Sequence, residues 1–316
     1  MKIAFIIPYF GKFKNYFQLF LNSCKYNPNV DWLIFTDDHS NFDYPNNVVV
    51  YYTTFEEMKV KFRGEFDFPI SLDRPYKLCD YRPSYGYVFE DYLTSYDAWG
   101  YCDTDLIWGD FSKFIGPELL NEYDKIGDMG HCTIFRNEYN NNRAFMFPQD
   151  GRLLYKEVFS SSYNNSFDEE YKNSINTIFM SKGLKIYPSS LFMANIYTKS
   201  SDFRLTMLNQ DKKYQIERKS KNIFVWDKGN LSRYIKKNGN IEHHEYLYLH
   251  MQSRQMSLKL TDVERFKIIP NSFDDFKDRS LTAENFPKYK HFNMHYFRLR
   301  TSNLLDKIRK KLIRGR

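Results

Sequence analysis

Apolar runs that alternate with helical stretches are the feature that most constrains this chain. The first run, KIAFIIPYF at residues 2–10, is continuous, as in a parallel strand that helices cover on both faces. Further strand patterns lie at 31–38 and 47–54, and helical patterns lie at 13–25 and from about Phe55. This repeated alternation predicts an α/β fold with a sheet flanked by helices.

Later segments predict more elements of the same kind. The pattern at 84–93 predicts a helix, and AWGYCDTDLIWG at 98–109 predicts one buried strand. GHCTIFRN at 130–137 and HEYLYLHM at 244–251 predict two further strands. Another helix is expected from about Asp168.

Composition and charge exclude several classes of protein. The 316 residues suffice for one large domain or two small ones, and no apolar run approaches the roughly 18 residues of a membrane-spanning helix. Four scattered cysteines suit a reducing cytoplasm. Residues 298–316 contain eight Lys/Arg and one Asp, which gives them the whole net charge of +7. Residues 1–297 are therefore neutral overall. A nucleic-acid groove on the folded face is therefore not expected.

Polar residues follow three predicted strands at Pro8–Tyr9, Asp37–Asp38 and Asp103–Asp105. Ligands of α/β sheets bind at the carboxyl ends of the strands, so we expect these positions, Pro8 and Tyr9 included, to contact a ligand. An ionised carboxylate is costly to bury unless it is paired or bound to a metal. On a strand, Asp103 and Asp105 would share one face. A divalent cation site and an acidic turn are the two interpretations.

The Asp103–Thr104–Asp105 triplet resembles the DxD motif of GT-A glycosyltransferases, which have a single Rossmann-like domain with a mixed, mainly parallel sheet. RPYKLCDYRPSYGYVFEDYL, followed by YDAWGYCDTDLIWGD, resembles a bacterial family of capsule, exopolysaccharide and O-antigen glycosyltransferases. The resemblance extends over residues 1–255 and is strongest in 74–111. We expect a GT-A catalytic domain at 1–255 and an extension at 256–297 that packs on it.

The resemblance implies roles for the residues at the strand ends. In GT-A enzymes the two DxD carboxylates hold Mn²⁺ or Mg²⁺ against the donor diphosphate, whose growing negative charge a hard cation stabilises. Lys77 and Asp80 are expected near the nucleotide or its ribose, and a surface ion pair at i, i+3 is the alternative. Asp37 and Asp38 are expected at the ribose or base, or else form a turn.

Three residues further along the chain complete the predicted site. YLHMQSRQM resembles the segment from which GT-A enzymes supply another metal ligand, so His250 is predicted as a ligand or else as a structural histidine. Arg254 offers a fork of donors to a diphosphate. Asp168 is the predicted general base, because a capping box of Ser166 and Glu169 leaves it unused. The alternative is that this acidic cluster only stabilises a helix start.

These observations predict a metal-dependent glycosyltransferase of the hexosyltransferase type. It would move a sugar from a nucleoside diphosphate donor to a lipid-linked glycan during synthesis of bacterial surface polysaccharide. A UDP-sugar is expected as the donor in preference to a GDP-sugar. It would work in the cytoplasm, on the inner face of the cell membrane. A non-catalytic glycan-binding or assembly protein with the same fold is one rival. An aspartyl phosphatase is a weaker one, because its DxD normally closes the first strand.

The basic C-terminal segment 298–316 predicts an amphipathic helix that binds an anionic membrane surface. The alternative is a basic helix that is solvated or packs on the body. Its predicted apolar face consists of Leu304, Leu305, Ile308 and Leu312, and its predicted basic face consists of Lys307, Lys310, Lys311 and Arg314.

Overall fold

A computed structural model describes residues 1–277, 281–290, 292, 294, 297–302, 304 and 305. The chain divides into two units, each with its own hydrophobic core. The predicted boundaries at residues 255 and 297 stay predictions. The first unit comprises Met1–Phe13, Asn27–Thr104 and Phe111–Leu191, and the second comprises Lys14–Tyr26, Asp105–Asp110 and Phe192–Arg316.

The described residues form short strands throughout the chain. The strands are β1 Ile3–Tyr9, β2 Val30–Thr36, β3 Val48–Tyr52, β4 Ala98–Cys102, β5 Leu106–Trp108, β6 Lys125–Met129, β7 Cys132–Arg136, β8 Ile186–Tyr187, β9 Met193–Asn195, β10 Thr206–Leu208, β11 Tyr214–Ile216, β12 Lys221–Asp227, β13 Asn230–Lys237, β14 Asn240–Glu245, β15 Tyr248–His250, β16 Ser257–Lys259, β17 Arg265–Ile269 and β18 Ser272–Asp275.

The helices lie mostly in the first unit. They are α1 Phe17–Cys24, α2 Phe55–Gly64, α3 Leu78–Tyr81, α4 Tyr85–Val88, α5 Pro117–Glu122, α6 Tyr139–Asn142, α7 Leu154–Ser160 and α8 Ile175–Ser181. α2 begins with a capping box, in which Thr54 and Glu57 bond to each other's backbone N–H groups.

The first unit is built on a seven-stranded sheet with the order β3-β2-β1-β4-β7-β6-β8. β3, β2, β1 and β4 run parallel, so their carboxyl ends lie at one edge of the sheet. β7 pairs antiparallel with both β4 and β6, and β8 pairs parallel with β6. The sheet is therefore mixed and mainly parallel, which confirms the predicted α/β fold class.

Trp99 of β4 joins this sheet to the helical turns that cover it. Its ring stacks on Phe135 of β7 with centroids 4.5 Å apart, and its Nε1–H donates to Asn142 Oδ1 at 2.7 Å. Gly86 of α4 lies against the same ring, since a Cβ at this position would come 2.3 Å from a ring carbon. The absence of a side chain at Gly86 therefore lets α4 approach β4 this closely.

The second unit has sheets of its own. Its described residues form a six-stranded sheet with the order β14-β13-β12-β17-β18-β16 and a three-stranded sheet with the order β5-β15-β9. In the smaller sheet, β15 pairs antiparallel with β5 and parallel with β9, which sets His250 opposite Leu106 and Asn195. Residues of both sheets, such as Leu249 and Phe266, share one buried core.

The structure corrects the predicted single strand at 98–109. This stretch forms two strands, β4 and β5, which belong to different sheets. Residues 103–105 form the turn that links them. Asp103 and Asp105 therefore flank a turn and do not share one face of a strand.

Three other predicted elements are shorter than expected. The helix expected from about Asp168 begins only at Ile175. The helical pattern at 84–93 forms the single turn α4, followed by a 3-10 turn. The predicted strand HEYLYLHM is interrupted, because β14 ends at Glu245 and β15 begins at Tyr248.

None of the helices in the described part of the chain has both the length and the apolar character needed to cross a membrane. Leu304 and Leu305 of the predicted tail are described and are exposed. The remaining residues of its two predicted faces, Ile308, Leu312, Lys307, Lys310, Lys311 and Arg314, lie outside the described residues.

We expect the substitution Gly86→Ala to lower the free energy of unfolding by about 1–3 kcal/mol, because the added methyl would overpack against the buried Trp99 ring. Gly64→Ala is the matched control: this helical glycine is exposed and has open space around it. Because Gly64 is the last residue of α2, that change should leave the free energy of unfolding unchanged or raise it slightly. Urea unfolding measures both, and a Gly86→Ala variant as stable as the wild type would contradict the close contact.

Candidate active site

The carboxyl ends of β1 and β2 bring four of the predicted residues together. Pro8 and Tyr9 end β1, and the half-buried ring of Tyr9 stacks on Phe13 with centroids 4.5 Å apart. Asp37 follows β2, is exposed, and accepts a hydrogen bond from the Gly11 amide at 2.7 Å. The loop after β1 is thus tied to the end of β2.

Asp38 is buried and holds the same loop. Its carboxylate accepts hydrogen bonds from Lys12 Nζ at 2.6 Å, from the Phe13 amide at 3.0 Å and from Ser40. Burial alone raises the pKa of Asp38, but these hydrogen bonds outweigh it and lower the pKa below its usual range. The buried carboxylate therefore stays ionised and fixes the loop. Its predicted contact with a ribose or base stays a prediction.

Arg82 joins two of the predicted acidic residues at the end of β4. One arm of its guanidinium, Nη2, donates to Asp103 Oδ1, and the other, Nη1, donates to Asp168 Oδ2 at 3.1 Å and to the Gly130 carbonyl at 2.6 Å. Gly130 in turn donates its amide to Glu169 Oε2 at 3.2 Å. We call these five residues the arginine cluster.

Asp168 is the deeply buried member of the arginine cluster, at 3% exposure. Burial raises the pKa of its carboxyl to about 7, which Arg82 opposes and the nearby Glu169 reinforces. A carboxyl with a pKa near neutrality is suited to exchange protons with a bound substrate. The general-base role that the sequence predicts for Asp168 stays a prediction.

Gly130 allows the carboxylates of this cluster to come close to the chain. A Cβ at this position would lie 2.6 Å from Asp168 Oδ2 and 3.1 Å from Glu169 Oε2. The predicted capping box of Ser166 and Glu169 does not form. Glu169 binds Gly130 instead, and α8 is capped by Ser174.

His250 and Asp105 form a second group, in which both are buried. His250 Nε2 lies 3.4 Å from Asp105 Oδ1, and His250 Nδ1 lies 3.0 Å from Asn195 Oδ1. Asn195 Oδ1 also accepts from Gln252 Nε2 at 2.7 Å, so we assign the proton of a neutral imidazole to Nδ1. The other nitrogen then presents its lone pair to Asp105, as in a metal ligand held by a supporting partner.

The turn after β15 completes this group. Gln252 and Ser253 both adopt left-handed backbone conformations, with φ of 54° and 52°. The Ser253 amide donates to Asp105 Oδ2, which directs the second carboxylate oxygen, Oδ1, towards His250. Consecutive left-handed residues other than glycine are costly, and such strain is concentrated at functional sites.

Asp103, Asp105 and His250 suit a divalent cation. A single residue, Thr104, separates the two carboxylates along the chain, and one ligand atom from each of the three residues lies within 4.8 Å of the other two. Two carboxylate oxygens and one imidazole nitrogen are appropriate donors for Mn²⁺ or Mg²⁺.

Three predicted nucleotide contacts lie in other surroundings. Lys77 and Asp80 are fully buried and form an ion pair at 2.7 Å, so the alternative of an i, i+3 pair is present but not at the surface. Arg254 is also buried and donates to Asn271 Oδ1 at 3.0 Å and to the Ser200 carbonyl at 2.5 Å. Burial lowers the pKa of Arg254 to about 10. Its contact with a diphosphate stays a prediction.

Sequence reasoning missed Arg82 and Asn195. Arg82 lies in the stretch that carries the family resemblance, but an arginine in a helical pattern is usually a solvated residue, and no spacing linked it to the acidic residues. Asn195 comes from a three-residue strand with no distinctive pattern. The chain places both beside predicted residues that are distant in sequence.

The fold and the site define an α/β protein with a carboxylate–histidine group suited to a divalent cation. The chain belongs to a protein family of unknown function, DUF6625, whose model matches residues 5–277. A comparison with curated proteins gives no match.

Two solved structures of the galactosyltransferase LgtC are similar to the chain at a low level. One is a complex with donor and acceptor sugar analogues, with 12% identity and a TM-score of 0.32 over 62% of this chain and 76% of that one. The other is an active-site mutant, with 12% identity and a TM-score of 0.33 over 62% and 75%. Similarity at this level does not define a function.

We expect the protein to bind Mn²⁺ in calorimetric titrations without any nucleotide. Asp105→Asn and His250→Ala should each weaken this binding by more than about tenfold, because each removes a ligand. His244→Ala is the matched control, since this histidine of β14 is exposed. Equal Mn²⁺ affinities for the His250→Ala and His244→Ala variants would show that His250 is not a ligand.

Proposed function

We propose that this protein is a metal-dependent glycosyltransferase with a GT-A fold. The observation that supports this most is the Asp103–Asp105–His250 group, in which the two aspartates follow β4, the fourth strand of a mainly parallel sheet, and His250 ends β15. Open α/β sheets bind nucleotides at the carboxyl ends of their strands. We infer that the donor is a UDP-sugar and that the acceptor is a lipid-linked glycan of a bacterial surface polysaccharide, as the resemblance in residues 74–111 implies.

The chemistry of the transfer assigns different tasks to the two clusters. Asp103, Asp105 and His250 would hold Mn²⁺ or Mg²⁺, which supplies positive charge for the departing diphosphate. Asp168 would accept the proton of the acceptor hydroxyl as this oxygen forms the new glycosidic bond. Arg82 keeps the Asp168 carboxylate in place through the 3.1 Å hydrogen bond. It also limits the rise of the Asp168 pKa that burial causes.

The ends of β1 and β2 are our proposed seat for the nucleotide. Asp37 is exposed there, and Pro8 and Tyr9 are half-buried on the neighbouring strand. Asp38 fixes the loop between them through Lys12 and the Phe13 amide. A rigid loop with an exposed carboxylate offers hydrogen-bond acceptors to ribose hydroxyls, as in other nucleotide-binding α/β folds.

The phosphatase alternative is disfavoured by the sheet topology. Its DxD motif normally closes the first strand, whereas Asp103 follows β4, and β1 ends in Pro8 and Tyr9. The non-catalytic glycan-binding protein is the other alternative. It differs from an enzyme in releasing no UDP, and the donor assay below distinguishes the two.

We also propose that the enzyme works in the cytoplasm, at the inner face of the membrane. The support is the sequence of residues 298–316, which carries the whole net charge of +7. Basic residues near an anionic bilayer each contribute about 1 kcal/mol to binding. Such attraction would keep the enzyme beside a lipid-linked acceptor.

A panel of nucleotide sugars with Mn²⁺ tests the proposed reaction. We expect UDP to be released from one UDP-sugar in the presence of the acceptor, and EDTA to abolish the release. Asp105→Ala should lose turnover, while Asp91→Ala, which removes an exposed carboxylate, should retain it. Tight UDP binding without turnover on any donor would favour the non-catalytic alternative. Failure to bind any nucleotide would overturn the proposal.

The pKa of Asp168 predicts how the rate depends on pH. The carboxyl must lose its proton before it can act as a base, so kcat should rise with pH and level off above about 7. Arg82 and Glu169 face this carboxyl, whereas Tyr101 Oη donates to the Asp168 backbone carbonyl at 3.2 Å, and Arg82 stays charged throughout this range. Asp168→Asn should lower kcat by about 10²–10⁴-fold and abolish this rise. A wild-type profile that is flat across neutral pH would exclude Asp168 as the base.

A further inference from the structure

The ion pair of Lys77 and Asp80 is the most deeply buried pair of charges in the first unit's described residues. Both side chains have 0% exposure, and Lys77 Nζ lies 2.7 Å from Asp80 Oδ2. A buried ion pair usually adds little stability compared with apolar residues of the same size. Stability alone therefore does not explain this pair. The other hydrogen bonds of Lys77 and Asp80 indicate a different role.

Every further partner of this pair belongs to the chain just before Asp168. Lys77 Nζ donates to the Val158 carbonyl at 3.0 Å and to the Tyr163 carbonyl at 2.6 Å. The Asp80 carboxylate accepts from the Asn165 amide at 2.9 Å and from the Phe167 amide at 3.2 Å. Lys77 thus binds backbone carbonyls and Asp80 binds backbone amides, all within residues 158–167.

Residues 161–168, all of which the structure describes, form neither helix nor strand. Residues 162–165 are exposed, whereas Phe167 and Asp168 are buried, and backbone groups buried without regular structure need other partners. Ser166 adopts a left-handed conformation with φ of 50°, so the path of this segment is also locally unfavourable. The side chains of Lys77 and Asp80 therefore hold a segment that has little regular structure of its own.

Neighbours of the pair bind the same segment and extend it to the site. Arg74 donates to the Ser162 carbonyl at 3.0 Å, and Tyr81 Oη donates to the Phe159 carbonyl at 3.0 Å. Arg82, two residues after Asp80, donates to the Asp168 carboxylate. One short helical stretch thus binds the segment along its whole length and ends at the arginine cluster.

We propose that Lys77 and Asp80 are positioning residues that fix the segment 161–168 and thereby place the Asp168 carboxylate beside Arg82 and Asp103. The role of Asp168 in this inference rests on the proposed function. The pair acts on the acceptor side of the reaction and makes no contact with the nucleotide. This differs from the expectation, based on family resemblance, that Lys77 and Asp80 lie at the nucleotide or its ribose.

The test compares kcat with nucleotide affinity in the variant Asp80→Asn. A displaced base can cost about a hundredfold in rate, so kcat should fall by that order. The affinity for UDP with Mn²⁺, measured by calorimetry, should stay at the wild-type value. The double variant Lys77→Met, Asp80→Leu replaces both charges with apolar groups and should give the same result, even if Asp80→Asn alone does not fold.

Glu217→Gln is the matched control. It weakens a partly buried ion pair of the second unit, that of Glu217 with Arg233, whose side chains are 19% and 2% exposed. This variant should lose stability without losing kcat. A parallel loss of kcat and UDP affinity in Asp80→Asn would place the pair at the nucleotide and overturn the proposal.

Hydrogen exchange separates this proposal from the proposed function. In the Asp80→Asn variant, the amides of Asn165 and Phe167 should exchange faster than in the wild type, and in Glu217→Gln they should not. This result does not depend on any activity. If the wild type binds no UDP but these amides respond as described, the proposed function fails and the positioning role stands. Unchanged exchange at both amides would overturn the positioning role.

Discussion

Buried charge must be compensated, and this requirement organises the first unit around its carboxylates. Asp38 is paired with Lys12, Asp80 with Lys77 and Asp168 with Arg82. One cation does not satisfy all the lone pairs of a buried carboxylate. Asp38 and Asp80 therefore also accept hydrogen bonds from loop amides, and Asp168 itself lies at the end of a loop. The pairs therefore immobilise the loops around the sheet edge.

Much of the sheet was predictable because its strands are continuous apolar runs. The runs at 2–10 and 31–38 correspond to β1 and β2, and the run at 47–54 contains β3. The helix expected from about Asp168 was wrong for a specific reason. Its local capping pattern competes with tertiary partners, since Asp80 binds the Phe167 amide and Gly130 takes the Glu169 carboxylate. Local sequence cannot report such partners, because they come from residues far away in the chain.

The candidate site was predictable where one short motif contains the relevant residues. Asp103 and Asp105 were found as a pair, although the expected strand geometry was wrong and a turn brings them together. His250 was predicted from the resemblance of YLHMQSRQM, but Asn195, which contacts its Nδ1, comes from another strand. Lys77 and Asp80 were predicted from the family resemblance, with an i, i+3 ion pair as the alternative, whereas the backbone partners that surround them come from a segment about eighty residues later. The sequence thus identified residues within short motifs. It did not identify the side chains and backbone groups that surround them in the fold.

The segment that carries Asp168 contains little of the information for its own shape. Its backbone path is determined by side chains 85 positions earlier, as the hydrogen bond from the Asn165 amide to Asp80 shows. Residues 74–82 and 158–168 therefore depend on each other for their hydrogen bonds, although they lie far apart in the sequence. A recombinant protein that exchanged one stretch without the other would combine the loop with side chains that do not match its backbone groups. The hydrogen bonds between the two stretches would be kept only if both stretches were exchanged together.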